Sequence, residues 1–383
     1  MKTLLGLLAC ICVAGSAGCD SRPEQKQATP QPPTAGSGVA GSGGQQASGG
    51  AGAKTEGQTG SAPAAAGETR YVLVSHAPDS DSWWNTIKNA IKHAGEDFGV
   101  TVDYRNPSGG DLADMARLIE AAAARSYSGV ITSIADFDVL KKPIGQVGAK
   151  KIPLVTINSG TTAQSEQLGA VMHVGQPEYD AGKAAGERAK AAGAKSFLCV
   201  NHYATNPASF ERCKGFADAI GVDYKASTLD SGDDPTTVES KVSAHLRKNP
   251  STAAVLTLGP NSAHPTLKAI NKLGLKGKLF MATFDLSPEI SAGIKDGTVA
   301  FAIDQQPYLQ GYIPVAVLAI MKQENTQDLA KVMAALQASP KVKARLEAYG
   351  LAPVYGARHI SSGPGFVTKD NIATVEKFAG QYR

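Results

Sequence analysis

From Arg70 onward, short apolar runs alternate with helix-spaced stripes, and this alternation constrains the fold more than any other feature. The runs are YVLVS (71–75), VTVDY (100–104), GVITS (129–133), PLVTI (153–157), FLCV (197–200), AVLTL (254–258), LFMAT (279–283) and VAFAI (299–303). Most are continuous rather than alternating, the mark of strands covered on both faces. Between them Trp84, Ile87, Ile91, Ala94 and Phe98 follow a three/four spacing, as do Leu112, Met115, Leu118 and Ile119. Further helices are expected to start at Pro177, Pro207, Pro265, Pro288 and Pro307, because proline suits a first helical turn. Strand then helix, repeated, predicts right-handed crossovers and an α/β fold of doubly wound parallel sheets. The roughly 315 residues involved exceed what one core usually supports, so two lobes are expected.

In such sheets ligands sit beyond the carboxyl ends of the strands, where loops and helix N-termini converge. YVLVS is followed by HAPDSDSWW, GVITS by IADFD, PLVTI by NSGTT and FLCV by NHYATNPASFER. AVLTL is followed by GPNSAHP, LFMAT by FDLSPE and VAFAI by DQQPYLQG, whereas the opposite ends carry plainer segments such as KSFL and KGKLF. One rim is therefore rich in hydrogen-bonding groups. It also holds the two tryptophans of the chain, Trp83 and Trp84. Trp84 falls on the Ile87–Ile91–Ala94 stripe and suits a core position equally well. Trp83 is turned about 100° away and can offer a flat ring to an apolar ligand face.

Residues 1–18 read as a secretory signal peptide: Lys2 supplies the charge, and the apolar run from Leu4 to Val13 is too short to span a membrane. The run ends in SAGC, which resembles the bacterial lipobox and implies cleavage before Cys19 and lipidation of that residue; an ordinary signal with an incidental cysteine is the alternative. Residues 19–68 contain no aromatic side chain and only Val39 as a branched apolar one, so they are expected to form a flexible tether. Its reach as a Gly/Ser coil is roughly 40 Å. The expected location is the periplasm or cell envelope, lipid-anchored to a membrane through Cys19. Cys10 and Cys12 leave with the signal, so Cys199 and Cys213 remain as a pair in an oxidising compartment, where a disulfide is the default. The net charge of +4 is interspersed, with no basic patch that would point to nucleic acid. The seven histidines show no ligand spacing, and neither a metal nor a cofactor is expected.

Four segments, SDSWW, NPASFERCKGF, FMATFDLSPEI and VAFAIDQQPYLQG, in this order and spacing, resemble the periplasmic sugar-binding proteins of ABC importers, the ribose/galactose type. That family shares its fold with the effector domains of LacI-type repressors. The late stretch SSGPGFVTKDN resembles the last crossing of such proteins. The resemblance implies a type I periplasmic binding protein: two lobes joined by a three-strand hinge, with crossings near Met172–Gly175, Asp304–Gln306 and Ser361–Gly363. The first lobe would comprise residues 70–172 plus 306–360, the second 173–304 plus 362–383. A small carbohydrate would be enclosed between them. By the resemblance Trp83 and Trp84 stack on the sugar and Asp81 bonds a hydroxyl. Arg212 forks onto hydroxyls or the ring oxygen, and Asp285 and Gln305 supply further polar contacts. Many relatives carry Asp-Arg after the fourth strand; Asn158 and Ser159 stand here, which points away from ribose itself toward another stereochemistry or a polyol. Residues 325–350 form two charged helical stripes, for which the resemblance implies no role.

Independent physical chemistry supports such roles. Each sugar hydroxyl both donates and accepts, and carboxylates, amides and guanidinium groups can bond hydroxyls in pairs. Arg212 and Asp285 are expected to neutralise each other in part when the lobes close. Each residue has a plainer alternative: Asp81 and Asp285 as turn or N-cap residues, Arg212 as a surface ion pair, Gln306 in place of Gln305. Asp136 and Asn261 are polar loop residues on the same rim and join the candidate site on that ground.

The expected function is non-enzymatic: a monomer that captures a monosaccharide or related polyol, closes about its hinge, and delivers the ligand to the membrane permease of an ABC importer. One alternative is a binding protein that presents a sugar or signal molecule to a membrane receptor kinase. A tethered glycan-processing enzyme is a further one, unsupported by any nucleophile elbow or triad-like spacing.

Overall fold

The computed structural model describes residues 68–383 apart from Ser126; the expected signal peptide, Cys19 and the tether up to residue 67 lie outside the described residues. Among the described residues there are thirteen strands: β1 (Arg70–Val74), β2 (Thr101–Arg105), β3 (Gly129–Ser133), β4 (Leu154–Ile157), β5 (Met172–Gly175), β6 (Phe197–Asn201), β7 (Thr228–Asp230), β8 (Ala254–Thr257), β9 (Phe280–Phe284), β10 (Phe301–Asp304), β11 (Val354–Tyr355), β12 (His359–Ser361) and β13 (Gly365–Val367). They form two sheets, ordered β11-β12-β5-β4-β3-β1-β2 and β13-β10-β9-β8-β6-β7. Within each, the first five strands are parallel and take the same order, the fifth, fourth, third, first and second side by side. The chain thus folds the same unit twice, as two lobes. It passes between the sheets after β5, after β10, and between β12 and β13. In each lobe the strand order reverses between the first and third strands, β1/β3 and β6/β8, the place where such sheets open a crevice.

The continuous apolar runs occupy the sheet centres. Every residue of β3 and β4 is buried, while β2, at an edge, is half-buried throughout. The helix Trp84–Phe98 buries Trp84, Ile87, Ala90, Ile91 and Ala94, and ends at Gly99 with φ 66°, a left-handed turn that glycine adopts without strain. It packs on the helix Pro307–Gln323, which is buried from Pro307 to Met321. In the second lobe the helices Glu178–Ala191 and Pro207–Ile220 touch through small residues: a Cβ on Gly182 would lie 2.2 Å from Arg212 O, and one on Gly215 2.1 Å from Tyr179 O. That close approach sets Glu178 beside Arg212. The Cys199–Cys213 disulfide is formed, tying β6 to the second of these helices with both residues fully buried.

Two expectations are corrected. A helix starts at Pro260, not Pro265, and Pro265 lies inside it. Pro260 suits the first turn equally well, and a proline so near the helix start removes only one backbone hydrogen bond. The first crossing, expected near Met172–Gly175, comes directly after Gly175, so residues 173–175, expected in the second lobe, complete a strand of the first sheet paired to β4 and β12. Residues 325–350 form helices Leu329–Ala338 and Pro340–Tyr349, which bury Val332, Leu336 and Val342 on the first-lobe core. Arg345 forks onto Asp97 at 2.8 and 2.9 Å. The last residues return to the same region: Tyr382 stacks on Tyr349 with centroids 4.4 Å apart, and Arg383 Nε donates to Asp304 Oδ2 at 2.7 Å.

Candidate functional site

Asn158 directly follows β4, and Asp285 directly follows β9, the fourth strand of each lobe. Both adopt left-handed backbone conformations, φ 59° and 65°, which a side chain bearing a Cβ rarely adopts. Each is held there by its own amide, Asn158 N donating to Val174 O (3.2 Å) and Asp285 N to Ile303 O (2.7 Å). Asn and Asp are the residues other than glycine that enter this region most readily, and the matched positions set a polar side chain at the same rim point of each lobe. Both side chains line one cavity of about 40 Å³ between the lobes.

The first lobe contributes His76, Asp81, Trp83 and Trp84 beside Asn158; the second contributes His202, Tyr203, Arg212 and Asn261 beside Asp285, with Gln305 from a crossing. Trp84 is 2% exposed and belongs to the core as well as the cavity wall. Trp83 is half-buried and meets Trp84 edge to face at 5.2 Å. Arg212 is buried and forks onto Glu178: Nε donates to Oε2 and Nη2 to Oε1, both at 2.7 Å. Its Nη1 donates to Leu258 O (2.9 Å), Nη2 also reaches Gln305 Oε1 (3.2 Å), and the guanidinium lies 4.2 Å from the Phe284 ring centroid. Gln305 Nε2 donates to Asp285 Oδ2 at 2.8 Å. Asn158 Nδ2 donates to Gln310 Oε1 (3.1 Å), and Gln310 Nε2 donates to Ser362 Oγ (3.0 Å), so the site is wired into the last crossing.

Among the described residues, side chains bond directly from lobe to lobe. Tyr203 OH donates to Asp81 Oδ2 at 2.8 Å, and Asn206 Nδ2 donates to Ser159 Oγ at 2.9 Å. Asp81 Oδ1 accepts from Trp83 N (3.1 Å).

Burial governs the electrostatics. It pushes the Asp285 carboxyl up to about 7, against the pull of Arg212, Trp83 and Gln305 toward the ionised form. Burial raises Asp81 likewise, offset in part by the Tyr203 hydroxyl. It lowers His76 to about 4 and His202 to about 3, the latter aided by the Arg212 charge, so both imidazoles are neutral at physiological pH. The Arg212 charge is answered by Glu178. Three polar atoms of the cavity wall are buried with no hydrogen-bond partner among the described residues: Trp83 Nε1, His202 Nδ1 and Asp285 Oδ1. Trp83 is near enough to Asp285 to favour its carboxylate, yet without hydrogen-bond geometry between them. Buried polar groups are rarely left unpaired, and these three converge on one small space.

Of the expected residues, Asp81, Trp83, Trp84, Asn158, Arg212, Asn261, Asp285 and Gln305 line this cavity. Asp136 does not; its carboxylate caps the helix Phe137–Ala149 by accepting from Val139 N at 3.0 Å. Arg212 and Asp285 do favour each other's charged forms, as expected, but both belong to the second lobe, and the ion-pair partner of Arg212 is Glu178. Asp285 does not cap the following helix, a role taken by Ser287. His76, Glu178, His202, Tyr203 and Gln310 were not expected. The loop NHYATNP carried the clearest signal, a histidine and a tyrosine beside polar residues at a strand's carboxyl end.

Residues 71–326 match the family model for the periplasmic binding protein domain. A carbohydrate transporter from Acidothermus cellulolyticus 11B, solved in complex with myo-inositol, is 30% identical, with a TM-score of 0.70 over 82% of this chain and 98% of that one. Xylose/arabinose-binding protein XylF of Sulfolobus acidocaldarius is 23% identical over 223 residues, 54% of this chain, and the match spans only about half, 55%, of that protein's length. Ribose import binding protein RbsB of Salmonella typhimurium is 25% identical over 70% of this chain and 89% of its own. With a duplicated parallel-sheet lobe, three passages between the sheets and a polar cavity at the strand ends, this chain belongs to the periplasmic binding protein family, as one of its type I members.

Proposed function

We propose that this protein is the substrate-binding component of an ABC importer, taking one neutral monosaccharide or cyclic polyol between its lobes and delivering it to a membrane permease. The observation that carries the reading is the convergence of Trp83 Nε1, His202 Nδ1 and Asp285 Oδ1, unpartnered and buried, beside aromatic rings in the interlobe cavity. Ring hydroxyls would satisfy both a donor such as the indole and an acceptor such as the carboxylate, while Trp83 would cover a C–H face. A carboxylate or phosphate on the ligand is disfavoured, because the one guanidinium at the cavity is already paired with Glu178. The myo-inositol complex of the 30% identical carbohydrate transporter, and the absence of an Asp-Arg pair at Asn158–Ser159, favour a cyclic polyol or a sugar other than ribose.

Ligand contacts to both lobes would shift the hinge toward closure, since only a differential interaction moves such an equilibrium. A thermal-shift panel of myo-inositol, pentoses, hexoses, amino acids and sugar phosphates tests the reading. At a hundredfold excess over Kd a true ligand adds about 2.7 kcal/mol of apparent stability. Stabilisation by amino acids or phosphates, with none by neutral polyols, would overturn it. Attachment to a membrane through lipidated Cys19 is part of the same proposal. Mass spectrometry of the mature N-terminus should show an acylated Cys19, and Cys19→Ala should release the protein from membranes.

A further inference from the structure

Residues 376–383 begin on the second lobe and end on the first. Ile372, Val375 and Ala379 pack on the second-lobe core, and Lys295 of that lobe pairs with Glu376. At Gly380, whose φ of 73° is left-handed, the chain turns back on itself: Tyr382 N and Arg383 N both donate to Phe378 O, at 2.9 and 3.0 Å. That turn sets Tyr382 among first-lobe rings, against Tyr349 (4.4 Å) and His93 (5.8 Å). Asn89 Nδ2, also of the first lobe, donates to Gln381 O at 3.0 Å.

Arg383 completes the bridge. Its Nη1 donates to the carbonyls of Tyr349 (2.9 Å) and Gly350, at the C-terminal end of the first-lobe helix Pro340–Tyr349, where a cation is favoured. Its Nε and Nη2 reach Asp304 Oδ2 at 2.7 and 2.6 Å, and Asp304 ends β10 of the second lobe. Both partners are buried. Asp304 Oδ1 accepts from Gln306 N on the second crossing (2.8 Å), and Gln306 Nε2 donates to Ser362 O on the third (2.8 Å). One guanidinium therefore joins both lobes beside two of the three chain crossings. The lobes are at the same time bonded across the cleft, Tyr203 to Asp81 and Asn206 to Ser159, so the bridge is made with the lobes together.

We infer that residues 376–383, docked on the helix Pro340–Tyr349, are a fourth, non-covalent tie between the lobes that holds them together before any ligand arrives. The tie has little slack: Ala379, on the second-lobe core, and Gln381, bonded to the first lobe, are two residues apart, at most about 7 Å of chain. Parting the lobes there strips Arg383 from one of its partners or unwinds the turn at Gly380, and a buried carboxylate deprived of its cation is costly. A larger share of the ligand-free protein is then ready to bind, and apparent affinity rises in proportion.

The test is hydrogen exchange, read by mass spectrometry on the full-length, ligand-free protein. Wild type is compared with Tyr382→Ala and with the double variant Arg383→Met/Asp304→Asn, which leaves neither charge of the pair behind. The loops that meet across the cleft, residues 76–83 and 202–206, are expected to exchange at least fivefold faster in both variants, while β3 and β8 exchange as in wild type. Calorimetry with myo-inositol and D-xylose is expected to show at least fivefold weaker binding in both variants of whichever probe wild type takes. Unchanged exchange at the cleft loops, or unchanged affinity for a probe that wild type binds, overturns the inference. Acceleration that extends equally to β3 and β8 overturns it too, since that marks lost stability rather than freed lobes. If wild type binds no neutral sugar or polyol, the functional reading falls, and the exchange comparison still decides this inference.

Discussion

Arg212 and Glu178 form a buried, two-point ion pair between neighbouring helices, with both side chains under 10% exposed. The pair exists because glycines at 182 and 215 let those helices touch. It presents the guanidinium to the cavity with its charge already balanced.

Removing one partner leaves the other charge buried and uncompensated, which typically costs about 3–5 kcal/mol. Glu178→Ala should therefore lower the urea unfolding free energy by that order. The double variant Glu178→Leu/Arg212→Met should regain most of it, because no charge is left behind, while ligand binding stays lost. A double variant as unstable as Glu178→Ala would show that shape, not charge, dominates there.

The two tryptophans should separate binding from stability. Trp84→Ala empties a core position and should cost about 3–5 kcal/mol. Trp83→Ala should leave the melting temperature within a few degrees of wild type and weaken ligand affinity at least tenfold. Unchanged affinity in Trp83→Ala would remove ring stacking from the account.

Asp285 makes stability depend on pH in a defined direction. Its pKa is about 7 in the folded chain against 3.8 ordinarily, so between those values the folded chain holds a proton that the unfolded chain has released. The stability it contributes is full below about pH 3.8 and is lost as pH rises toward 7, by up to about 1.4 kcal/mol per unit. Buried His76, His173 and His202, lowered to about 4, 3 and 3, act with opposite sign, adding stability as pH climbs toward 6.5. The test is therefore a difference. Ligand-free Asp285→Asn should gain on wild type steadily from pH 4 to 7 in thermal melts and level off above. A difference that stays flat across that range would place the carboxyl in an ordinary environment.

Cys199 and Cys213 close a short loop between β6 and the helix carrying Arg212. In the chain-entropy account a loop of about 15 residues contributes about 3 kcal/mol. Replacing both cysteines with alanine should lower stability by that order in denaturant titrations while one-ring binding persists.

Much of this molecule was legible in its sequence because burial on both faces leaves a simple imprint. Strands such as GVITS and PLVTI read as unbroken apolar runs, and the helix from Trp84 reads as a stripe. Trp83, Arg212, Asp285 and Gln305 were reached through polar segments at strand ends and through the likeness of their motifs to a family. Glu178 was not, since an acidic residue in a first helical turn usually serves a surface helix terminus. Only the close contact of two helices distant in sequence turns it inward. Asp136 and Asn261 looked alike as polar residues after a strand; one folds back onto Val139 N and the other faces the cleft. That choice is made by backbone direction, which composition does not record. Tyr203 and His202 sat in a segment already singled out as polar, yet the pairing of Tyr203 with Asp81 and His76 joins loops of different lobes. Such pairings depend on how the halves are juxtaposed.

Neither sheet is made from one continuous stretch of chain. β12 and β11, near residue 360, finish the sheet begun at Arg70, and the helix Pro307–Gln323 that covers Trp84, Ile87 and Tyr71 is synthesised only after the five parallel strands of the other sheet. Synthesis order and folding order are therefore uncoupled, and the non-local pairing slows assembly. A nascent polypeptide halted before residue 307 has nothing with which to shield those aromatic and aliphatic surfaces. Such a truncated fragment stays adhesive and dependent on chaperones until the later segments arrive.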